Sequence, residues 1–182
     1  MSLSRETEVI FDSRRGQDYH SANPPLYDSS TFHQTVLGGN AQYDYARSGN
    51  PNRTLLEEKL ARLEGGKYAF AYASGIAAIT AVLLTLKSDD HVILPDDIYG
   101  GTLRLTEQIL NRFNIKFTTV NATNILEIKN AIQSNTKLIY VETPSNPLFK
   151  ITDIRAVARI AKQNNLLLAV DNTFMTPLGQ SP

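Results

Sequence analysis

The 182-residue chain contains no cysteine, which excludes a disulfide framework and any thiolate metal site. It has no excess charge of either sign, since 18 basic residues cancel 18 acidic ones. Without a basic stripe a nucleic-acid partner is not expected, and without an acidic block neither is a solvated tail. Histidine is scarce. His20, His33 and His91 are too scattered to make a close pair with ligand spacing, so each is expected on the surface or in a loop, and no metal site is expected. Residues 1–11 carry Arg5, Glu6 and Glu8 and lack the apolar run of a secretory signal. One uncharged stretch, residues 68–86, is long enough to cross a bilayer. Its first half alternates like a strand, Ser74-Gly75 interrupts it, and Thr80 and Thr85 dilute it. A strand running into a buried helix explains it better than a membrane span. A soluble, cytoplasmic protein with no membrane partner is expected.

What is present is an alternation of strand and helix patterns. Residues 1–49 have few periodic segments and many turn formers, Asn23-Pro24-Pro25 and Gly38-Gly39-Asn40 among them, and read as an extended arm. At Asn50-Pro51 a helix begins; its Leu56, Leu60 and Leu63 share a face, and Gly65-Gly66 stops it. Strands are predicted at 67–73, 91–94, 115–120, 137–142 and 166–171. Helices are predicted at 75–86, apolar nearly all round and hence buried, at 101–112 with Leu103, Ile109 and Leu110 inward, at 125–133, and at 153–163 behind a Thr152 cap. No closing element is expected after Asp171. Such alternation means βαβ units, and so an α/β fold with a mostly parallel sheet and helices on both faces. The expected division is an N-terminal arm over 1–49 and an α/β domain over 50–182.

The stretch 166–174 reads Leu-Leu-Leu-Ala-Val-Asp-Asn-Thr-Phe, with five apolar residues in a row. It looks like a strand buried on both faces in the middle of the sheet. Asp171 then stands at the carboxyl end, where ligands of open α/β sheets bind. A carboxylate fixed there usually has a cationic partner, unless it merely starts a turn. Three other places offer themselves to a polar ligand. Ser74-Gly75-Ile76, at a strand-to-helix junction, presents backbone amides and a positive dipole end to a phosphate, or is only a cap. It is not a Gly-x-Gly-x-x-Gly fingerprint, which argues against a dinucleotide-dependent dehydrogenase. Tyr45 and Arg47, before the turn at Ser48-Gly49-Asn50-Pro51, either clamp a phosphate or are ordinary surface residues. Tyr99, beside Gly100-Gly101, either faces a planar ligand or packs on the helix start.

In their order along the chain, five runs resemble one family. They are Tyr45-x-Arg47-x-Gly49-Asn50-Pro51, Ser74-Gly75-Ile76-Ala77-Ala78, Tyr99-Gly100-Gly101, Glu142-Thr143-Pro144-Ser145-Asn146-Pro147 and Val170-Asp171-Asn172-Thr173-Phe174. The family is that of the pyridoxal-phosphate enzymes of cysteine and methionine metabolism: the cystathionine β- and γ-lyases, cystathionine γ-synthase, methionine γ-lyase and the homoserine-ester sulfhydrylases. The resemblance covers the chain from about Pro24 onward. It implies the large domain of a fold-type I enzyme binding pyridoxal 5'-phosphate. Ser74 and the amides of Gly75 and Ile76 would hold the phosphate, and Tyr45 and Arg47 would complete that site from a neighbouring subunit. Tyr99 would stack on the pyridine ring, Asn146 would lie near its 3'-oxygen, Asp171 would pair with its nitrogen, and Thr173 would support the ring. Tyr99 and Asp171 are the residues expected to share in catalysis.

The resemblance also implies a homo-oligomer, a dimer of dimers, acting on a small amino-acid thioether of transsulfuration. Similarity favours β-elimination from cystathionine to homocysteine, pyruvate and ammonia, with cystathionine γ-synthase or γ-lyase as the alternative. Gly101 occupies the place where methionine γ-lyases carry a cysteine, which counts against that member. The family's cofactor-bearing lysine lies in a Ser-x-Thr-Lys run well downstream of the aspartate, and no such run follows Asp171. The chain is therefore expected to be about half of such an enzyme, without that lysine and without the arginine for the substrate carboxylate. A non-catalytic cofactor-binding half-domain is the alternative from another class.

Overall fold

The computed structural model describes residues 4, 7, 23–36 and 38–182. His20 and the charged residues Arg5, Glu6 and Glu8 lie outside the described residues. Two compact units divide at Ala71, Met1–Ala71 and Tyr72–Pro182, later in the chain than the expected boundary at 49/50. The helix that opens at Asn50 groups with the arm.

In the first unit, helix α1 (Pro51–Leu63) forms where its end signals place it. The Asn50 side chain accepts the Asn52 N–H at 2.8 Å, and Pro51 supplies a first helical position that needs no donor. At the other end Gly65 takes φ +65, so that the Gly66 N–H reaches back to the Ala61 carbonyl at 2.8 Å. The same asparagines anchor the arm. Asn50 Nδ2 donates to the Tyr27 carbonyl at 2.9 Å, Asn52 Nδ2 to that of Pro25 at 2.8 Å, and the Tyr27 N–H to Asn52 Oδ1 at 2.8 Å. Of the expected apolar face, Leu63 is buried but Leu56 is 48% exposed. The predicted strand at 67–73 forms no strand pairing among the described residues, and Tyr68, Phe70 and Tyr72 expose their rings. Alternation marks a segment able to pair; it does not supply the partner.

The second unit is a four-stranded, all-parallel sheet in the order β2-β1-β3-β4. The strands are β1 (His91–Pro95), β2 (Lys116–Val120), β3 (Thr136–Glu142) and β4 (Leu167–Asp171). Helices α2 (Gly75–Leu83) and α3 (Gly100–Gln108) come with one face, α4 (Ile125–Asn130) and α5 (Ile154–Gln163) with the other. The two-residue period of the strands sorts the core accordingly. Val92, Leu94, Leu138 and Tyr140 cluster with Leu83, Leu86 and Leu110; Ile93, Ile139 and Val141 cluster with Ile128, Val157 and Ile160. The expected parallel sheet with helices on both faces is the observed one.

Several local expectations are corrected. Helix α2 is not buried all round: Leu83 is buried, whereas Val82 and Leu84 face out. Helix α3 ends at Gln108 and tightens into a 3-10 turn (Leu110–Phe113), which buries Leu110 and leaves Ile109 41% exposed. Asp153, not Thr152, caps α5, accepting the Ala156 N–H at 2.9 Å. Strand β4 is an outer strand of the described sheet rather than a middle one, paired only with β3 and with Leu167 60% exposed. Its apolar run reports two apolar faces, which a strand can have with a neighbour on one side only. A short helix, α6 (Thr176–Gly179), follows where no element was expected.

His91 is the plainest correction. Expected at the surface, it is 1% exposed at the start of β1, between Thr136 of β3 and Thr118 of β2. Its Nδ1 lies 2.8 Å from Thr136 Oγ1 and its Nε2 2.9 Å from Thr118 Oγ1. Burial lowers its pKa, because the cation would lose its hydration. His33 is exposed in a loop, as expected.

A depressed folded pKa means that unfolding takes up a proton once the solution falls below the unfolded value of about 6.5. The stability contributed by neutral His91 is full above about pH 6.5 and is lost as the pH drops toward the lowered value. Urea midpoints measured from pH 7.5 to 5 should fall more steeply for the wild type than for His91→Gln. Parallel slopes would show that this histidine carries none of the acid sensitivity.

Candidate functional site

The connection from β1 leads to β2 on one side, while β3 lies on the other. The loops leaving the carboxyl ends of β1 and β3 therefore part, and a crevice opens between them, the place where open α/β sheets hold ligands. A cleft of about 530 Å³ lies here. Ser74, Gly75, Ile76, Tyr99, Asn146, Asp171 and Thr173, all named from the sequence, line it together with Tyr140 and Glu142.

One wall is the N-terminus of α2. Ser74 caps it, its Oγ accepting the Ala77 N–H at 3.2 Å. The two amides before Ala77, those of Gly75 and Ile76, are first-turn donors that an α-helix leaves without an internal partner. A Cβ built on Gly75 would meet nothing within 4 Å, so the space before this turn is open. Asp171 lines the same cleft, half-buried at the end of β4. Its Oδ1 accepts the Thr173 N–H at 3.1 Å and the Thr173 hydroxyl at 2.5 Å; its Oδ2 accepts the Tyr140 hydroxyl at 3.0 Å. No lysine or arginine of the described residues forms an ion pair with it. Its register partner on β3 is Glu142, a second acid.

Glu142, to which sequence reasoning gave no chemical step, ties the cleft loops together. Buried at the end of β3, it accepts the Tyr99 N–H on Oε2 at 2.9 Å and the Asn146 N–H on Oε1 at 2.8 Å. One carboxylate thus buckles together the loops that carry Tyr99 and Asn146. Burial raises its pKa, the two amides oppose that rise, and the neighbouring Asp171 and Asp97 add to it. The available signal was the same one used for Asp171, an acid closing an apolar strand. The Tyr99 ring is partly exposed over the start of α3 and lies close against Gly101: a Cβ there would come within 2.4 Å of Tyr99 Cε1, so any larger residue would displace the ring from its present position. A second tie joins the same loops, since Asp97 accepts the Ser145 hydroxyl and the Leu148 N–H (3.2 Å), and Lys150 pairs with Asp96 at 3.0 Å.

Tyr45 and Arg47 belong to the first unit and make their own pair, with the guanidinium donating to the phenol oxygen and lying 5.0 Å from the ring centroid. Both side chains are exposed. A Ser-x-Thr-Lys run does occur upstream of Asp171, at Ser134-Asn135-Thr136-Lys137, but it enters β3 at the end away from the cleft. Lys137 is exposed there and Thr136 is engaged by His91, so this run does not stand in for the family's lysine.

The cleft thus combines a helix N-terminus, which favours an anion, a partly exposed aromatic ring, and a carboxylate with no ion-pair partner among the described residues. The sequence matches the family described as Cys/Met metabolism PLP-dependent enzyme over residues 6–182, and the chain belongs to that family, whose cofactor is pyridoxal phosphate. It is 84% identical over 182 residues to the cystathionine beta-lyase MetC of Staphylococcus haemolyticus, covering 100% of this chain and 46% of that protein. It is 51% identical over 158 residues to the cystathionine beta-lyase MetC of Bacillus subtilis, covering 87% of this chain and 40% of that one. The crystal structure of cystathionine gamma-lyase from Lactobacillus plantarum complexed with L-serine superposes with TM-score 0.91 at 43% identity, over 96% of this chain and 46% of that one. The chain spans about half the length of the relatives it matches. The residues present fit the cofactor: first-turn amides and open space for the phosphate, and for the ring nitrogen an acid that has no ion-pair partner among the described residues.

Removing the Glu142 buckle should release both loops. Hydrogen bonds to a charged acceptor contribute roughly 1.5–3 kcal/mol each, so amide exchange at Tyr99 and Asn146 should quicken by about tenfold or more in Glu142→Ala. In Glu142→Gln, which keeps one carbonyl acceptor, only one of the two amides should be released. Unchanged protection at both positions in Glu142→Ala would mean that the loops hold without it.

Proposed function

We propose that the full-length protein is a pyridoxal-phosphate-dependent carbon–sulfur lyase that cleaves cystathionine by β-elimination, giving homocysteine, pyruvate and ammonia. The observation that carries the reading is that Asp171, without an ion-pair partner among the described residues, lines one cleft with the α2 N-terminus, in a chain 84% identical to a cystathionine beta-lyase. In this reading Ser74 and the amides of Gly75 and Ile76 hold the phosphate, Tyr99 lies against the ring, Asn146 sits by the 3'-oxygen and Thr173 supports the ring through Asp171. Pyridoxal phosphate, when bound, draws electrons from the substrate's α-carbon. Asp171 serves that withdrawal by holding a proton at the ring nitrogen, and Thr173 keeps its carboxylate aimed. A cytoplasmic location and assembly as a dimer of dimers complete the proposal.

A γ-lyase reading has its own support in the 43% identity to the Lactobacillus plantarum enzyme. Assay of the full-length enzyme on cystathionine separates the two: pyruvate should exceed 2-oxobutyrate. Predominant 2-oxobutyrate would move the assignment to γ-elimination, and activity only with an acylated homoserine plus cysteine would move it to a γ-synthase.

The proposal also has Tyr45 and Arg47 completing the phosphate site of a neighbouring subunit. Arg47→Ala should then cost cofactor affinity about one charge-assisted contact, on the order of 1.5–3 kcal/mol. Two inactive full-length variants, Arg47→Ala and Asp171→Ala, should regain activity when their subunits exchange, since a mixed dimer contains one undamaged site. Demonstrated exchange without recovery would place Arg47 in the service of its own subunit.

A further inference from the structure

Tyr140 is a polar residue inside an apolar run. It sits in β3 among Leu138, Ile139 and Val141 and is 3% exposed, packed in the cluster that includes Leu94 and Leu138. A phenylalanine would fill the same space without burying a hydroxyl, and a buried hydroxyl is costly unless it is bonded. Its partner is Asp171 Oδ2, at 3.0 Å. The register sets this up: Tyr140 pairs with Ala169 and Glu142 with Asp171, so the phenol reaches one step along the sheet to the carboxylate of the neighbouring strand.

We infer that Tyr140 is a positioning residue for Asp171, fixing the carboxylate through Oδ2 so that its remaining lone pairs face the cleft. The inference rests on the reading of Asp171 as the partner of the cofactor's ring nitrogen. With Thr173 donating twice to Oδ1, both carboxylate oxygens have a protein donor, and neither is left to choose its orientation. The donor is also permanent. Burial, then the charge and hydrogen bond of Asp171 and the charge of Glu142, push the phenol's pKa far above its ordinary value, so it keeps its proton throughout the working range. Thr102 of α3, fully buried, also bears on the phenol and opposes that rise.

Tyr140→Phe in the full-length enzyme keeps the ring and removes only the hydroxyl. Two readouts besides turnover decide: the dissociation constant for pyridoxal phosphate, and the pH dependence of the bound cofactor's visible absorption. Loss of one hydrogen bond to a charged group should weaken cofactor binding about tenfold and displace the spectral titration. In an Asp171→Ala background the same substitution should change affinity less than twofold, because the group it acts through is gone. An equal loss in both backgrounds, or wild-type affinity and titration in Tyr140→Phe, would overturn the inference. Should the double variant not fold, the titration of Tyr140→Phe alone decides. Asp171→Ala by itself tests the underlying reading. Wild-type affinity and spectrum there would sink that reading, whereas a large effect there with none in Tyr140→Phe would sink only the role of Tyr140.

Discussion

Two carboxylates side by side at the ends of adjacent strands are the constraint on which the site depends. Glu142 and Asp171 are register partners, partly removed from water and alike in charge. Each must be satisfied by donors or neutralised. Glu142 is satisfied by backbone, the amides of Tyr99 and Asn146, and in being satisfied it sets the loops that follow β1 and β3. Asp171 is satisfied by side chains, Tyr140 and Thr173, with no cation of the described residues beside it. One acid is therefore spent on architecture. The other has no ion-pair partner among the described residues and lines a cleft that a helix N-terminus also lines.

The topology explains why these groups meet. Strand order β2-β1-β3-β4 parts the loops after β1 and β3, and the crevice needs ties across it to keep its shape. Three acids supply them: Glu142 to two amides, Asp97 to Ser145 and Leu148, and Asp96 to Lys150. Of these the exposed Asp96–Lys150 pair is the weakest contributor, since surface ion pairs are worth about 0–1 kcal/mol. The buried carboxylates, bonded to backbone amides, give the loops a single arrangement.

Much of this was legible in the sequence because element ends and apolar periods are local. Asn50-Pro51 and Gly65-Gly66 bound α1, Ser74 caps α2, and the acids and turns after each apolar run mark the strand ends that carry the site. What was not legible depends on neighbours. The apolar run 166–170 says that both faces of β4 are apolar but not that β4 pairs on one side only. His91 was not expected to be buried, because nothing nearby in sequence shows that Thr118 and Thr136, 27 and 45 positions away, will enclose it. Glu142 went without a role for the same reason: its two donors come from loops 43 and 4 residues distant, and only the β1–β3 pairing brings them to one carboxylate. Tyr140 lies in the core, and its hydroxyl finds a partner only because β4 lies alongside.

The central claim is that the strand-end cleft receives pyridoxal phosphate with its phosphate at the α2 N-terminus and its ring nitrogen at Asp171. A crystal structure of the full-length protein with the cofactor bound tests this most directly. The expected result is phosphate oxygens on Ser74 and on the amides of Gly75 and Ile76, the ring against Tyr99, and the ring nitrogen about 2.7–3.0 Å from an Asp171 oxygen. A cofactor bound outside the cleft, or one seated in it with the ring nitrogen turned away from Asp171, would contradict the account.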